Sequence, residues 1–390
     1  MIDIHPKDII KVSGYEDFVR QKMRELVEKS RINIQNYLVN TPDGVQAYKG
    51  CWVRDFTMLC ESNISIIDAE FIKQGLDLFF TNQGSNGEIP DWVPYTKHKP
   101  VVYHLFNKHH FLDNPFWLVR LMVLYLQKSN NVNYFIKHED DLLQGLKSEN
   151  LWNNLDLLLQ IDERNLRDDW GFTDCIKKTG VVLFSNLLKI DALRSFSIIY
   201  GYMDEKDKYE FYREQCSELV AKLDVLWDPH ESLYYSATEV GRKIDIWGNA
   251  FAVYINALPE PRERKIANSI FLNRDKFVWN GQIRHLYRGV FWDEFLPGAE
   301  NLAKHLNTYQ NGAYWGTPAG WVAYAFEKAK AGAGRDLLID LLSFYKENGI
   351  YECTYPEPMS KIRKMFSRNI YKKCPHYVAS LALPARVMKL

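Results

Sequence analysis

Apolar residues recur at helical spacing along most of the chain. The clearest stretch is 183–202, where leucine, isoleucine and phenylalanine repeat every three or four positions. Strand-like alternation is rare, and 233–238 is the best short strand candidate. The pattern predicts twelve helices, at 15–38, 55–64, 67–83, 113–128, 137–160, 183–202, 205–227, 245–257, 260–271, 318–331, 334–348 and 376–389.

The links between these predicted helices alternate in length. After every odd-numbered helix the link is long, about 16 to 46 residues, whereas most of the other links are about two residues. Short links force helices to be antiparallel neighbours, so the long loops collect at one end of the assembly. The layout predicts an all-α fold, an (α/α)6 toroid of six helical hairpins whose long loops build the active-site face. No linker-like tract interrupts it, and we expect residues 1–390 to form one catalytic domain.

The composition of the chain argues against several classes of protein. The 390 residues carry zero formal net charge, with 46% apolar and 25% charged residues. These values exclude a disordered chain and argue against a nucleic-acid binder or a basic membrane-surface protein. We see no signal sequence or membrane-spanning run, and the scattered cysteines form no CxxC pair, so we expect a cytoplasmic protein with free thiols.

The first long loop ends in CWVRDF, at 51–56. Trp52 offers a flat apolar face, and Arg54 and Asp55 offer hydrogen-bond donors and acceptors at a helix start. This chemistry suits a sugar, which presents hydroxyls at its edge and C–H groups on its faces. The alternative is a capping aspartate beside a surface arginine.

The second long loop, 87–115, is crowded with polar and aromatic side chains. Asp91, Trp92 and His104 are candidate substrate contacts in a cleft wall. The histidines do not follow the spacing of a known metal motif, and we expect no metal.

The third loop contains RNLRDDWGFTDC, at 164–175, where Asp168, Asp169 and Asp174 surround Trp170. A carboxyl group beside an aromatic face and other carboxylates keeps its proton to higher pH, as a general acid must. The alternative is a solvated acidic loop that caps the next helix.

Two later loops complete the set. Residues 309–321, YQNGAYWGTPAGW, bring Gln310, Asn311 and Trp315. Residues 349–369 bring the carboxylates Glu352 and Glu357 beside a basic run at 361–368 that is either a solvated face or an anion site. We expect much of the aromatic surplus to line the open face, because six tryptophans fall in long loops: Trp52, Trp92, Trp170, Trp279, Trp292 and Trp315.

Four motifs in this order resemble the six-hairpin (α/α)6-barrel glycosidases, the group of glucoamylase, trehalase and the processing α-glucosidases. They are Trp52-Val53-Arg54-Asp55, Asp168-Asp169-Trp170, the stretch from Tyr309 to Trp315, and Tyr351-Glu352-Cys353-Thr354-Tyr355-Pro356. The resemblance covers residues 15–389 as a layout. It implies an exo-acting, inverting glycoside hydrolase that needs no cofactor, binds a carbohydrate, and uses neither nucleic acid nor membrane.

The resemblance also implies roles for residues. Asp169 would be the acid, with Asp168 and Asp174 as alternatives, and Glu352 the base. The candidate substrate-binding residues are Trp52, Arg54, Asp55, Asp91, Trp92, His104, Trp170, Gln310, Asn311, Trp315 and Glu357.

Three other functions remain open on the same layout. A sugar epimerase or isomerase would use histidines as acid and base, with His104, His109 and His376 as candidates. A phosphorylase would place phosphate near the basic run at 361–368. A non-catalytic carbohydrate-binding protein would keep the aromatic cleft and tolerate loss of either carboxylate.

Overall fold

A computed structural model describes residues 9–62, 66–96, 98–105, 108–148, 157–356 and 371–390. Two 3-10 turns, Leu223–Leu226 and Arg274–Lys276, follow the seventh and ninth helices. The α-helices of this part of the chain are α1 Glu16–Ser30, α2 Val53–Cys60, α3 Ala69–Thr81, α4 Asn114–Ser129, α5 Val132–Ser148, α6 Leu183–Tyr202, α7 Lys206–Lys222, α8 Ile246–Tyr254, α9 Glu260–Leu272, α10 Glu300–Ala303, α11 Ala319–Ala329, α12 Ala333–Asn348 and α13 Ala379–Val387.

The helices form two concentric rings. Helices α2, α4, α6, α8, α11 and α13 pack in chain order, and α13 closes the inner ring by packing on α2. Helices α1, α3, α5, α7, α9 and α12 lie outside and pack on inner helices. Burial follows this division, because inner α6 is buried almost all round whereas outer α7 buries little more than Tyr212 and Leu219. The predicted (α/α)6 toroid is confirmed.

Helix α6 has the predicted bounds, but two other helices end early. The predicted helix 15–38 stops at Ser30, and residues 31–40 form a hairpin instead. Gln35 and Asn36 both have positive φ, 51° and 74°, which is the two-residue turn that joins antiparallel strands. The predicted helix 137–160 corresponds to α5, Val132–Ser148, and Gln160 at its predicted end lies in a strand instead. The four-residue α10 was not predicted at all.

Strands are more numerous than the pattern predicts. The last five strands form one antiparallel sheet in chain order, and the predicted strand 233–238 is reduced to two residues. Strands of two to five residues are too short for a period-two signal. The strands are β1 Arg31–Ile34, β2 Tyr37–Asn40, β3 Gly50–Trp52, β4 Trp92–Pro94, β5 His104–Leu105, β6 His109–His110, β7 Gln160–Ile161, β8 Gly180–Val181, β9 Trp227–Asp228, β10 Leu233–Tyr234, β11 Val278–Trp279, β12 Gln282–Arg284, β13 Tyr314–Trp315, β14 Tyr351–Tyr355 and β15 Tyr371–Pro375.

A buried ionic network ties four inner helices together. Arg120 on α4 donates to Glu61, just after α2, and to Asp191 on α6, both at 2.6 Å. The hydroxyl of Tyr254 on α8 donates to the second oxygen of Glu61 at 2.8 Å. Since these side chains are almost completely buried, each charge depends on the others for its hydrogen bonds.

The six cysteines are all free thiols, as predicted. Among the described helices, none combines the length and the apolar character needed to cross a bilayer.

Candidate active site

A cavity of about 560 Å³ opens at the end of the ring where the inner helices begin. Its size lies in the range of small-molecule sites. Among the predicted site residues, six line it: Trp52, Arg54, Asp91, Trp92, His104 and Asp174. Ten further lining residues were not among the predicted site residues: Tyr48, Val102, Leu105, Phe111, Leu302, His305, Thr308, Tyr309, Tyr371 and Lys373.

Trp52 and Trp92 form one aromatic wall of the cavity. They lie directly opposite each other in the antiparallel pair β3–β4. Cross-strand neighbours bring their side chains together, and the two rings stack with centroids 4.5 Å apart and planes 5° from parallel. The edge of Tyr48 meets Trp52 at 5.2 Å. The predicted stacking surface therefore has two tryptophans that are forty positions apart in sequence.

Arg54 is the central cation of the site. It sits in the first turn of α2, is 3% exposed, and contacts Asp91 at 2.5 Å and Asp113 at 3.3 Å. The guanidinium also lies over the ring of Phe111, 4.5 Å from its centroid. Burial raises the pKa of Asp91 to about 7, and the charge of Arg54 opposes that shift. Arg54 and Asp91 thus form an oriented donor and acceptor pair at the cavity.

Asp169, which the resemblance implies as the acid, is not among the residues that line the cavity. One of its oxygens pairs with Lys178 at 2.7 Å, and the other accepts from the backbone and hydroxyl of Ser185 at 2.9 and 2.5 Å. Both side chains of the ion pair are 1% exposed. Asp169 therefore anchors its loop to the first turn of α6.

Asp168 is also buried, in a different environment. Neither of its carboxyl oxygens has a hydrogen-bond partner, and its backbone pairs with the segment around Phe111. Burial raises the pKa of Asp168 well above its usual range, and the neighbouring charge of Asp174 adds to the effect. This carboxyl group therefore keeps its proton to higher pH than an exposed aspartic acid does.

Asp174 is the member of the acidic loop that lines the cavity. The side-chain amide of Gln310 donates to one of its oxygens, and the amide oxygen of Gln310 accepts from the backbone of Cys175 at 3.0 Å. Gln310, predicted as a hydroxyl-binding residue, instead orients this carboxylate. Its role depends on a contact between two loops more than 130 residues apart.

Glu352 lies on β14 and contacts two of the residues that line the cavity. Its Oε1 accepts from the hydroxyl of Tyr48 at 2.6 Å, and the ammonium of Lys373 is 3.0 Å from its Oε2. Lys373 also lies over the ring of Tyr309, whose centroid is 3.1 Å away. Burial raises the pKa of the Tyr309 phenol, and the charges of Asp174 and Glu352 add to that shift. Asp174 and Glu352 thus both influence this one wall residue.

Asp55 lies behind the cavity wall. Its carboxylate accepts from the hydroxyl of Tyr377 at 2.6 Å, which ties α2 to the start of α13. Burial raises the pKa of Asp55 to about 6, while the Tyr377 hydrogen bond and Arg54 oppose the shift. The resemblance implies that Asp55 contacts the substrate, whereas its hydrogen bond with Tyr377 supports the neighbouring residues of the wall.

Four of the six loop tryptophans are not at the cavity among the described residues. Trp170 is buried under the guanidinium of Arg54, 4.8 Å from its ring centroid. Trp315 and Trp292 are each 2% exposed in the core, and Trp279 packs on Phe344. Of these six tryptophans only Trp52 and Trp92 line the cavity in the described part of the chain, so less of the aromatic surplus lies there than expected.

Two further predicted contacts have other roles. The side chain of Asn311 exchanges hydrogen bonds with the backbone of Trp292, at 2.8 and 3.0 Å, so it holds a loop and is 1% exposed. Glu357 lies outside the described residues, as does the basic run at 361–368.

A pH experiment tests the environment of Asp168. The unfolded carboxyl loses its proton near pH 4, whereas the folded one keeps it to higher pH, so the folded state binds more protons above pH 4 and stability falls as pH rises. Asp168→Asn cannot titrate. We expect the variant and the parent to have similar urea midpoints at pH 4, and the variant to gain up to about 1.4 kcal/mol per pH unit above that. Parallel curves from pH 4 to 8 would contradict the assignment.

Most cavity residues that the sequence analysis did not predict belong to no recognisable sequence motif. Tyr48 and Lys373 stand alone in loops without a motif, and only the fold brings both to Glu352. Tyr309 could have been predicted from the sequence, because it opens the stretch that resembles the glycosidase motif. In the structure its backbone has φ of 40°, a rare conformation for a residue other than glycine.

No family model matches this chain, and no curated protein matches it either. Solved structures do. A rhamnosidase from Klebsiella oxytoca with rhamnose bound is 13% identical with a TM-score of 0.60, over 97% of this chain and 65% of that one. This chain therefore spans about two thirds of that rhamnosidase's length.

The GH63 mannosylglycerate hydrolase from Thermus thermophilus, in complex with Tris and D-glycerate, matches over 94% of this chain and 99% of its own. Its identity is 14% and its TM-score is 0.61. A GH78 rhamnosidase of Bacillus sp. GL1 is 15% identical with a TM-score of 0.58, over 98% of this chain and 36% of that one. At this identity the likeness establishes the fold, which is that of the six-hairpin (α/α)6 glycosidases.

Proposed function

We propose that this protein is an exo-acting glycoside hydrolase that inverts the anomeric centre, with Asp174 as general acid and Glu352 as general base. The observation that carries the proposal is that Asp174 lines the cavity while Glu352 contacts two residues of its wall, Tyr48 and Lys373. An inverting hydrolase needs two carboxyl groups on opposite sides of the scissile bond, about 6.5–9.5 Å apart, with room for water between them.

Asp174 is the best candidate for the acid because its side chain reaches the cavity and Gln310 holds it in one orientation. Among the described residues, the carboxyl side chains lining the cavity are Asp91 and Asp174. Asp91 is engaged by Arg54 at 2.5 Å, whereas Asp174 is held by the neutral amide of Gln310. The pKa of the buried Asp168 is raised by burial, and the charge of Asp174 adds to that shift.

Glu352 suits the base because its orientation is fixed from two sides. Tyr48 holds Oε1 and Lys373 approaches Oε2, so the carboxylate cannot rotate freely. A base must be held within hydrogen-bonding reach of the water that it activates. Tyr48, Lys373 and Tyr371 belong to the cavity wall, which would hold that water beside Glu352.

The remaining wall suits one or two sugar rings. The stacked Trp52 and Trp92 provide an aromatic face for C–H groups, and Arg54 with Asp91 provides a donor and an acceptor for adjacent hydroxyls. The fold is shared with proteins described as rhamnosidases and a mannosylglycerate hydrolase, and this supports a terminal sugar of a small glycoside as the substrate class. No cofactor enters this mechanism.

The experiment is a survey of nitrophenyl glycosides and natural disaccharides, with the first-formed product anomer read by proton NMR. We expect hydrolysis of at least one terminal glycoside with inversion. Retention would overturn the assignment of Glu352 as base, and turnover that requires phosphate would indicate a phosphorylase. Sugar binding without turnover on any substrate would favour the carbohydrate-binding alternative.

The epimerase alternative receives less support from the histidines. The nitrogens of the buried His109 face the backbone carbonyls of Leu166 and Pro297, each at 3.3 Å. His104 remains at the cavity, but its ring is paired with Glu88. Only one of the three candidate histidines thus lines the cavity within the described part of the chain.

We also propose that residues 1–390 act as one catalytic domain. The inner ring draws on helices from Val53 to Val387, and the proposed acid and base come from loops far apart in the chain. The cytoplasmic location remains a prediction from the sequence.

A further inference from the structure

We infer that Glu88, His104 and His110 form a binding site for one divalent transition metal ion of the zinc class, at the edge of the cavity. The site is separate from the proposed acid and base. It does not depend on the proposed function.

The hairpin β5–β6 brings the two histidines together. His104 and His110 are directly opposite in its register, and their ring centroids are 3.9 Å apart. Opposed residues of an antiparallel pair have Cβ atoms about 4.5–5.5 Å apart, which is close enough for two imidazoles to bind the same metal ion. The two histidines lie on paired strands and not on one helix, so no helical ligand spacing appears in the sequence.

Glu88 adds a carboxylate from a separate loop. One potential ligand atom from each of Glu88, His104 and His110 lies within 4.8 Å of the others. Glu88 Oε1 contacts His104 Nε2 and lies 3.4 Å from His110 Nδ1. Zinc bonds to nitrogen and oxygen are about 2.0–2.2 Å, so ligand atoms around a tetrahedral ion are about 3.3 Å apart. The separation between Glu88 and His110 matches that edge, whereas Glu88 and His104 are closer and in direct contact, so an ion would enter by displacing that contact.

The surroundings allow an ion to enter and stay. The side chains of Glu88, His104 and His110 are 13%, 27% and 39% exposed, so the ligands are sheltered but reachable. The other oxygen of Glu88 lies 3.5 Å from the amide of Asn86, which gives the carboxylate an outer partner. Two imidazoles and one carboxylate suit zinc better than calcium or magnesium, which prefer oxygen ligands.

The site lies where a bound ion would affect the wall of the cavity. His104 and Leu105 on β5 line the cavity, whereas Glu88 belongs to the turn before Asp91. An ion held by these residues would join the hairpin to that turn and stiffen one wall. Three protein ligands would leave a fourth tetrahedral position for water or a sugar hydroxyl.

The test measures metal binding by the full-length, tag-free chain, with no glycoside present. The protein is stripped with chelator, titrated with Zn²⁺ by calorimetry, and titrated with Co²⁺ by visible absorption, which reports tetrahedral coordination. Glu88→Gln and His110→Ala remove ligands, and His98→Ala removes an exposed histidine from the same loop as a matched control.

We expect one equivalent of Zn²⁺ per chain, tetrahedral Co²⁺ bands, and at least about 100-fold weaker binding in Glu88→Gln and His110→Ala. His98→Ala should bind like the parent. Absence of stoichiometric binding by the parent, or parent-like affinity in both ligand variants, would overturn the inference. Equal urea midpoints of all variants in chelator show that the loss is not due to unfolding, and Glu88→Gln keeps the side-chain size if His110→Ala does not fold.

Discussion

Glu352→Gln is expected to lower kcat on a hydrolysed glycoside by at least about 100-fold, because general base catalysis contributes about 10²–10⁴ and glutamine cannot accept the proton of the attacking water. The amide keeps the size of the side chain and can still contact Tyr48 and Lys373. The loss should be similar for substrates with good and poor leaving groups, because activation of water does not depend on the leaving group.

Asp174→Asn is expected to give a loss of similar size but with a different dependence on the substrate. An acid variant cannot protonate the leaving oxygen, so natural glycosides should lose most of their rate. Nitrophenyl glycosides, whose leaving group needs no proton, should retain much more. The measurement is the ratio of kcat/KM on the two substrate types for each variant.

Asp169→Asn provides the comparison, since the sequence resemblance favours Asp169 as the acid. The structure pairs Asp169 with Lys178, so this variant should lower the urea midpoint and show no preference between leaving groups. A leaving-group-dependent loss in Asp169→Asn, together with parent-like turnover in Asp174→Asn, would reverse the two assignments.

Arg120→Met is expected to have the largest effect on stability. The change removes the cation between Glu61 and Asp191, which are almost fully buried. Glu61 keeps the neutral hydroxyl of Tyr254 as a donor, and Asp191 keeps Arg194 at 3.0 Å. Removing one partner of a buried ion pair costs about 3–5 kcal/mol, because the remaining charge has lost its compensation. Urea unfolding followed by circular dichroism measures the change in the free energy of unfolding.

Arg264→Met is the matched control. Arg264 pairs with Glu260 on the same helix, but the side chains are 64% and 54% exposed. Exposed pairs contribute about 0–1 kcal/mol, so the urea midpoint should barely move. Equal effects of Arg120→Met and Arg264→Met would show that the central network does not hold the inner helices together.

The ring of helices could be predicted from the sequence because its signal is local and repeated. In α6 the apolar residues alone define the bounds Leu183–Tyr202. The alternation of long and short links then gives antiparallel hairpins without knowledge of any contact. The hairpin at 31–40 was not predicted, because its strands are too short for a period-two pattern and its turn depends on backbone conformations at Gln35 and Asn36.

The candidate site could be predicted only as a set of loops. The motif around Trp52 and Arg54 does lie at the cavity, since a residue at the start of an inner helix must face that end of the ring. Within a loop, the direction of each side chain depends on distant partners. Gln310 draws Asp174 to the cavity wall, whereas Lys178 and Ser185 turn Asp169 away.

The amino-acid sequence by itself determined the helical toroid, the end of it that carries the long loops, and the loops that supply carboxylates, because periodicity and link length are properties of neighbouring residues. Only the tertiary structure decided which carboxylates reach the cavity, which tryptophans are buried, and that Glu88, His104 and His110 meet. Those outcomes depend on packing between segments up to about 300 residues apart, as between Tyr48 and Glu352, and no local pattern encodes such a contact.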